Sequence, residues 1–128
     1  MRAERRKSAR IAKQFSATAE RLSVALPEGL NRMVHVLILD VSRDGVGFVS
    51  REPFDRDAML RLNIDTAGLE NAGATGRHFV ALATVRHCLP VKSRGRSGYR
   101  GGAQFKSLSS RETEAWNDHL RRWTGKLM

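Results

Sequence analysis

Apolar and polar residues alternate along most of this chain with the two-residue period of half-buried strands. The clearest case is Met59-Leu60-Arg61-Leu62-Asn63-Ile64-Asp65, where Leu60, Leu62 and Ile64 share one face and Arg61, Asn63 and Asp65 the other. Arg32 to Asp40 is denser in Val, Leu and Ile and predicts a strong strand. Asp44-Gly45 predicts a turn, and Val46 to Ser50 the strand that returns from it in a hairpin-like unit. A looser alternation from about Ser16 to Ala25 predicts an earlier strand, ended by Pro27-Glu28-Gly29. Phe79 to Cys88 and Tyr99 to Phe105 predict two more, separated by a basic flexible loop at Lys92 to Gly98 and preceded by a glycine-bearing loop at Ala67 to Gly76. The period changes near the C-terminus, where Trp116, Leu120 and Trp123 fall at i, i+4 and i+7. A helix is expected there, over about 109–124, capped by Ser109 or Ser110 with Glu112 in its first turn.

Short strands followed by one terminal helix predict a mainly β domain, a small barrel plugged or flanked by that helix. No repeat, low-complexity tract or Pro-rich linker divides the chain. Residues 1–13 lack apolar periodicity and are expected to form a flexible arm, leaving 14–128 as one domain. A chain of 128 residues can bury a core of its own, and 41% hydrophobic with 28% charged residues is a globular composition. The apolar run at Val34–Leu39, broken by His35, is far too short to span a bilayer, and no apolar stretch follows the basic N-terminus as a signal peptide requires. Cys88, the sole cysteine, has no internal disulfide partner. A cytoplasmic protein without membrane insertion is expected.

Charge narrows the picture further. The net charge of +10 is concentrated in two segments. Residues 1–13 set Arg2, Arg5, Arg6, Lys7, Arg10 and Lys13 against Glu4, and residues 86–106 hold Arg86, Lys92, Arg94, Arg96, Arg100 and Lys106 with no acid. Two cationic segments on a near-neutral body imply a focused anion site, for a nucleic acid, a nucleotide or an acidic partner.

Two motifs carry candidate chemistry. Arg6-Lys7-Ser8-Ala9-Arg10 is an R-x-x-x-R preceded by Arg5, a spacing that Arg2/Arg6 and Arg96/Arg100 repeat. Asp40-Val41-Ser42-Arg43-Asp44-Gly45 is a D-x-S-x-x-G, and this composition yields the broader [D/N]-x-S-x-x-G by chance only about 0.06 times per chain. It falls at the end of the strongest strand. The same residues also suit an ordinary turn, in which Asp40 and Ser42 satisfy backbone N–H groups and Gly45 supplies a positive φ.

Together, the arginine arm, the strand-borne D-x-S-x-x-G and the late Gly101-Gly102-Ala103-Gln104-Phe105 strand resemble the PilZ domain, over about Arg5 to Trp123. Thr84-Val85-Arg86 resembles the end of the preceding strand in that family. The resemblance implies a six-stranded antiparallel barrel with a C-terminal helix, and a bacterial receptor for the second messenger cyclic di-GMP. It implies that Arg6 and Arg10 are the principal grips, with Asp40, Ser42 and Gly45 completing the site. Arg5, just before the motif, implies a stacked pair of ligand molecules per chain. The chemistry is compatible. Arginine forks match the O6/N7 edge of guanine and the phosphate oxygens, a carboxylate suits guanine N1–H and N2–H₂, and serine bonds either way. The arm would order over the barrel on binding and so offer a changed surface to a downstream protein partner.

Two other readings compete with this one. A small nucleic-acid-binding barrel of OB or cold-shock type fits the charge, but aromatic residues make up only 6%, and Phe48, Phe79 and Phe105 suit a core as well as a stacking platform. A PilZ-like adaptor acting without ligand is the other. An enzyme is not expected, because no nucleophile–base pair or paired carboxylates emerge. His35, His78, His87 and His119 show no metal-ligand spacing, and adjacent His87 and Cys88 would point to opposite faces of a strand. No metal or cofactor is therefore expected beyond the nucleotide ligand itself.

Overall fold

A computed structural model of the chain describes residues 11–23, 25–65 and 78–125. Six strands, β1 (Ile11–Arg21), β2 (Met33–Ser42), β3 (Gly45–Ser50), β4 (Met59–Asp65), β5 (His78–Ser93) and β6 (Arg96–Phe105), precede one helix, α1 (Ser110–Gly125). They close an antiparallel barrel in the order β1-β2-β3-β6-β5-β4. The fold is thus the mainly β barrel with a C-terminal helix that the hydrophobic pattern and the resemblance predict.

Alternation builds the core. Val34, Val36 and Ile38 of β2, Leu60, Leu62 and Ile64 of β4, and Phe79, Ala81, Ala83 and Val85 of β5 point inward, and all are buried. The helix starts as expected. The Ser109 hydroxyl accepts from Glu112 N–H (3.1 Å) and the Glu112 carboxylate accepts from Ser109 N–H (2.8 Å), a reciprocal capping box. Trp116 then lies 1% exposed, with its ring centroid 4.7 Å from that of Phe79 and 5.0 Å from that of Phe105. Leu120 packs against the same cluster, while the side chain of Trp123 lies outside the described residues.

Three elements differ from expectation. The first strand runs over Ile11–Arg21 rather than 16–25, so residues 11–13, assigned to the arm, open β1. Its inward positions include Ala17, Ala19 and a buried Arg21, which carry little hydrophobic signal, and an irregularity between Ala12 and Phe15 shifts its phase. Arg21 is held by Asn31 O (2.8 Å), Pro53 O (2.9 Å) and Glu52 Oε1 (2.8 Å), with its guanidinium 4.3 Å from the Phe54 ring centroid. A paired, stacked arginine thus closes the barrel end where β1 finishes. The basic segment Lys92–Gly98 is not a loop but the tip of a ribbon, laddered from Leu89↔Arg100 to Ser93↔Arg96. Arg94 (φ 53°) and Gly95 (φ 79°) both turn left-handed, the conformation a two-residue type I′ hairpin requires. Gly45, finally, is not among the glycines with positive φ. The segment Ala67–Gly76 and residues 1–10, with Arg5, Arg6 and Arg10, lie outside the described residues.

Candidate functional site

The D-x-S-x-x-G residues straddle the β2–β3 hairpin. Asp40 lies near the end of β2, Ser42 is its last residue, Arg43 and Asp44 form the turn, and Gly45 opens β3. The turn reading holds for Ser42, which is buried and whose Oγ accepts from Asp44 N–H at 3.3 Å. Two further elements clasp the same turn. Trp116 Nε1–H of α1 donates to Ser42 O (2.8 Å), and Phe105 N–H at the end of β6 donates to Asp44 O (2.7 Å).

Gly45 is explained by the sheet itself. A Cβ there would stand 2.1 Å from the Ala103 carbonyl oxygen and 3.0 Å from Gln104 Cα, because β3 and β6 run against each other at this point. Its lack of a side chain serves strand contact.

Asp40 faces outward, and the register defines its surroundings. Ala12 on β1 pairs with Asp40, Asp40 with Gly47 on β3, Gly47 with Gly102 on β6, and Gly102 with His87 on β5. This row crosses five of the six strands. Ladder irregularities occur beside it on β1 (Ala12/Phe15), β2 (Ile38/Asp40) and β5 (Val85/His87), as is common at barrel rims and functional sites. The middle of the row is bare backbone. A Cβ on Gly47 would meet the Asp40 carboxylate (2.8 Å), and one on Gly102 would meet His87 Nε2 (2.8 Å). The two side chains therefore lean inward over a glycine floor. Arg100, two residues along β6 from Gly102, places its guanidinium 3.9 Å from Asp40 Oδ2 with 57% of its side chain exposed.

Sequence reasoning missed Gly47, Gly102 and His87 as members of this face, and for Arg100 it left two readings open, an extension of the anion site or a contact for a partner. Only register brings them beside Asp40, although the glycine density of β3 and β6 was a signal. The arm residues Arg5, Arg6 and Arg10 are undescribed, but β1 begins at Ile11, paired with Val41, one residue from Asp40.

The competing features are also placed. Phe48 and Phe79 are buried in the core and Phe105 packs edge-on against Trp116, so none offers a face to a nucleic-acid base. His87 is exposed and Cys88 half-buried against the core, on opposite faces as expected. Among the described residues no cluster of His, Cys, Asp or Glu is arranged to hold a metal, and no helix is long and apolar enough to cross a membrane.

Comparison with known proteins agrees with this architecture. The inhibitor of motility MotI/DgrA of Bacillus subtilis superposes with a TM-score of 0.64 at 18% identity, covering 94% of this chain and 52% of that one. The PilZ domain of YcgR from Escherichia coli, solved with c-di-GMP, gives 0.63 at 12% identity, covering 95% and 98%. MrkH of K. pneumonia, solved as a c-di-GMP complex, gives 0.63 at 15% identity, covering 96% and 55%. The chain thus spans about half the length of MotI and MrkH but nearly all of the YcgR domain. A search of curated proteins found no match. The PilZ domain family model matches residues 4–125, arginine arm, barrel and helix together, and the chain belongs to the PilZ domain family.

Proposed function

We propose that this chain is a receptor for cyclic di-GMP that performs no chemistry and signals to a protein partner in the bacterial cytoplasm. The observation that carries the reading is the register of β1 on β2. By pairing Ile11 with Val41 and Ala12 with Asp40, it sets the first described residues after the R-x-x-x-R motif beside the outward-facing Asp40. Arg6 and Arg10 lie close enough in sequence to Ile11 to reach a ligand seated against Asp40. Their forks take guanine O6/N7 or phosphate, while Asp40 accepts from guanine N1–H and N2–H₂. Arg5 supports a second, stacked ligand molecule. The c-di-GMP-bound YcgR and MrkH structures share the fold and support the choice of ligand.

The Trp116–Ser42 hydrogen bond supplies a route to the output. A displacement of the Ser42 backbone on binding would strain its bond to α1, which makes the helix the element that carries the change to a partner. Calorimetric titration with cyclic di-GMP tests the reading. The wild type should bind one or two equivalents, and Arg6→Ala and Arg10→Ala should each weaken binding by about tenfold or more, as expected for lost charge-assisted bonds. Absence of wild-type binding, or tighter binding of single-stranded oligonucleotides, refutes it.

A further inference from the structure

The basic segment 86–106 has no place in the two sequence motifs, and its ribbon carries charge away from them. Past Ser50↔Tyr99, where β3 ends, the β5–β6 ladder runs on through Val91↔Gly98 and Lys92↔Ser97 to Ser93↔Arg96. Those further β6 residues extend the ribbon by about 10 Å. The overhang forms one wall of an open groove of about 1450 Å³, whose floor is the outer surface of β2 and β3. Neither Asp40, Ser42 nor Gly45 lines it. The groove combines two chemistries. Met33 (57% exposed) and Leu37 (38%) point outward from β2, Leu37 pairs with half-buried Val49 of β3, and Val91 (39%) of the ribbon faces the same space. Around this apolar floor stand Arg51, Arg94 and Arg96, all exposed, and none of the three is ion-paired among the described residues. The one carboxylate among the described residues that line it, Glu52, is already engaged by Arg21 and Asn31.

We infer that this groove docks an acidic segment of a protein partner, anchored by one or two large apolar side chains. The inference rests on the receptor reading only in giving its partner a place to bind. The anchors would leave water against Met33, Leu37, Val49 and Val91, and flanking Asp or Glu would meet the three arginine forks. Volume argues against a small molecule, since such sites enclose about 300–1,000 Å³ and cover most of their ligand. Nucleic acid is the other polyanion that three arginines suit. Its single strands need aromatic faces on which bases stack, and Met33, Leu37, Val49 and Val91 offer none. A second copy of this chain would bring a net charge of +10 to a cationic rim, so charge disfavours self-association there.

The test selects a phage-displayed library of random peptides against the full chain, then titrates the enriched peptide by fluorescence anisotropy. Wild type is compared with Arg51→Glu/Arg96→Glu at the rim and Met33→Ser/Leu37→Ser on the floor. Arg86→Glu/Lys106→Glu is the control, with the same change of charge outside the groove. All of these residues are exposed, so melting temperatures should stay near that of wild type. Enriched peptides should carry several acidic residues around one or two large apolar ones. The rim and floor doubles should each weaken binding by about tenfold or more, and the control by less than about twofold. No enrichment, a consensus without acidic residues, a rim or floor double that binds like wild type, or a control that loses as much overturns the inference. So does a single-stranded oligonucleotide that competes for the groove and binds more tightly than the peptide, or self-association in sedimentation that the rim double abolishes. Cyclic di-GMP titration of the wild type is read separately, and a protein that takes the peptide but not the nucleotide overturns the receptor reading alone.

Discussion

Substituting Gly45 by alanine separates two roles that the D-x-S-x-x-G motif confounds. If that glycine only lets a ligand approach, Gly45→Ala folds normally and loses affinity. The structure requires otherwise. The added methyl would sit 2.1 Å from Ala103 O, 3.0 Å from Gln104 Cα and 3.1 Å from Ala103 C, all backbone atoms of β6. The closest contact is more than about 1 Å inside van der Waals separation, and no side-chain rotation relieves it. Relief needs β3 and β6 to part where Gly45 pairs with Gln104 and where Phe105 N–H holds Asp44 O. Overpacking against rigid surroundings costs about 1–3 kcal/mol, and a clash confined to backbone belongs at the upper end. For a domain of this size about 3 kcal/mol lowers the melting temperature by about 10 °C. Gly47→Ala is the internal comparison, since its methyl meets only the Asp40 carboxylate, which can swing aside. It should cost less than about 1 kcal/mol yet weaken cyclic di-GMP by displacing Asp40. Thermal and urea denaturation of both ligand-free variants decide the matter. A Gly45→Ala protein melting within about 2 °C of wild type refutes the strand-contact account.

Three further outcomes follow from the same geometry. Trp116→Phe removes the bond to Ser42 O and leaves a buried gap beside Phe79 and Phe105, so urea denaturation should show a loss of about 2–3 kcal/mol. The Glu52 carboxyl is held below its ordinary pKa, chiefly by the Asn31 backbone N–H and then by the Asn31 side chain, with Arg21 contributing. A depressed carboxylate stabilises the fold above its unfolded pKa and loses that contribution as pH falls through the folded value. The stability advantage of wild type over Glu52→Gln, measured by denaturation at several pH values, should therefore be full at neutral pH and shrink below about pH 4. Deleting residues 1–9 leaves the β1 ladder from Ile11 intact, so melting should change by less than about 2 °C while cyclic di-GMP binding is lost; deleting 1–13 removes the Ile11↔Val41 and Ala12↔Asp40 pairs and should lower it clearly.

How much of this was legible follows from what each signal encodes. Period-two alternation located β4 at Met59–Asp65 to the residue and β2 nearly so, because both bury large aliphatic residues on one face. It misplaced the bounds of β1, where beyond Phe15 the inward face holds alanines and a paired arginine that a hydrophobic pattern scores as neutral or polar. It also missed the tip of the β5–β6 ribbon, which runs on beyond Ser50↔Tyr99 where β3 has ended and is rich in exposed basic residues. Its turn, Arg94-Gly95, lacks the Asn or Asp that usually announces a type I′ hairpin.

The site divides along a related line. Asp40, Ser42 and Gly45 were visible because a local motif keeps them adjacent in sequence. His87 was not, and Arg100 was visible only as one cation of a basic segment, because their nearness to Asp40 depends on the pairings Asp40↔Gly47, Gly47↔Gly102 and Gly102↔His87. A one-residue slip in any of those ladders would turn the affected side chains to the other face. The ladder irregularities at Ile38/Asp40 and Val85/His87 are where such a phase is set. They bring Asp40 and His87 onto the outer face just after inward-facing Ile38 and Val85. A motif thus specifies which residues bind, whereas the register, carried by bulges with no sequence signature of their own, decides which charges join them.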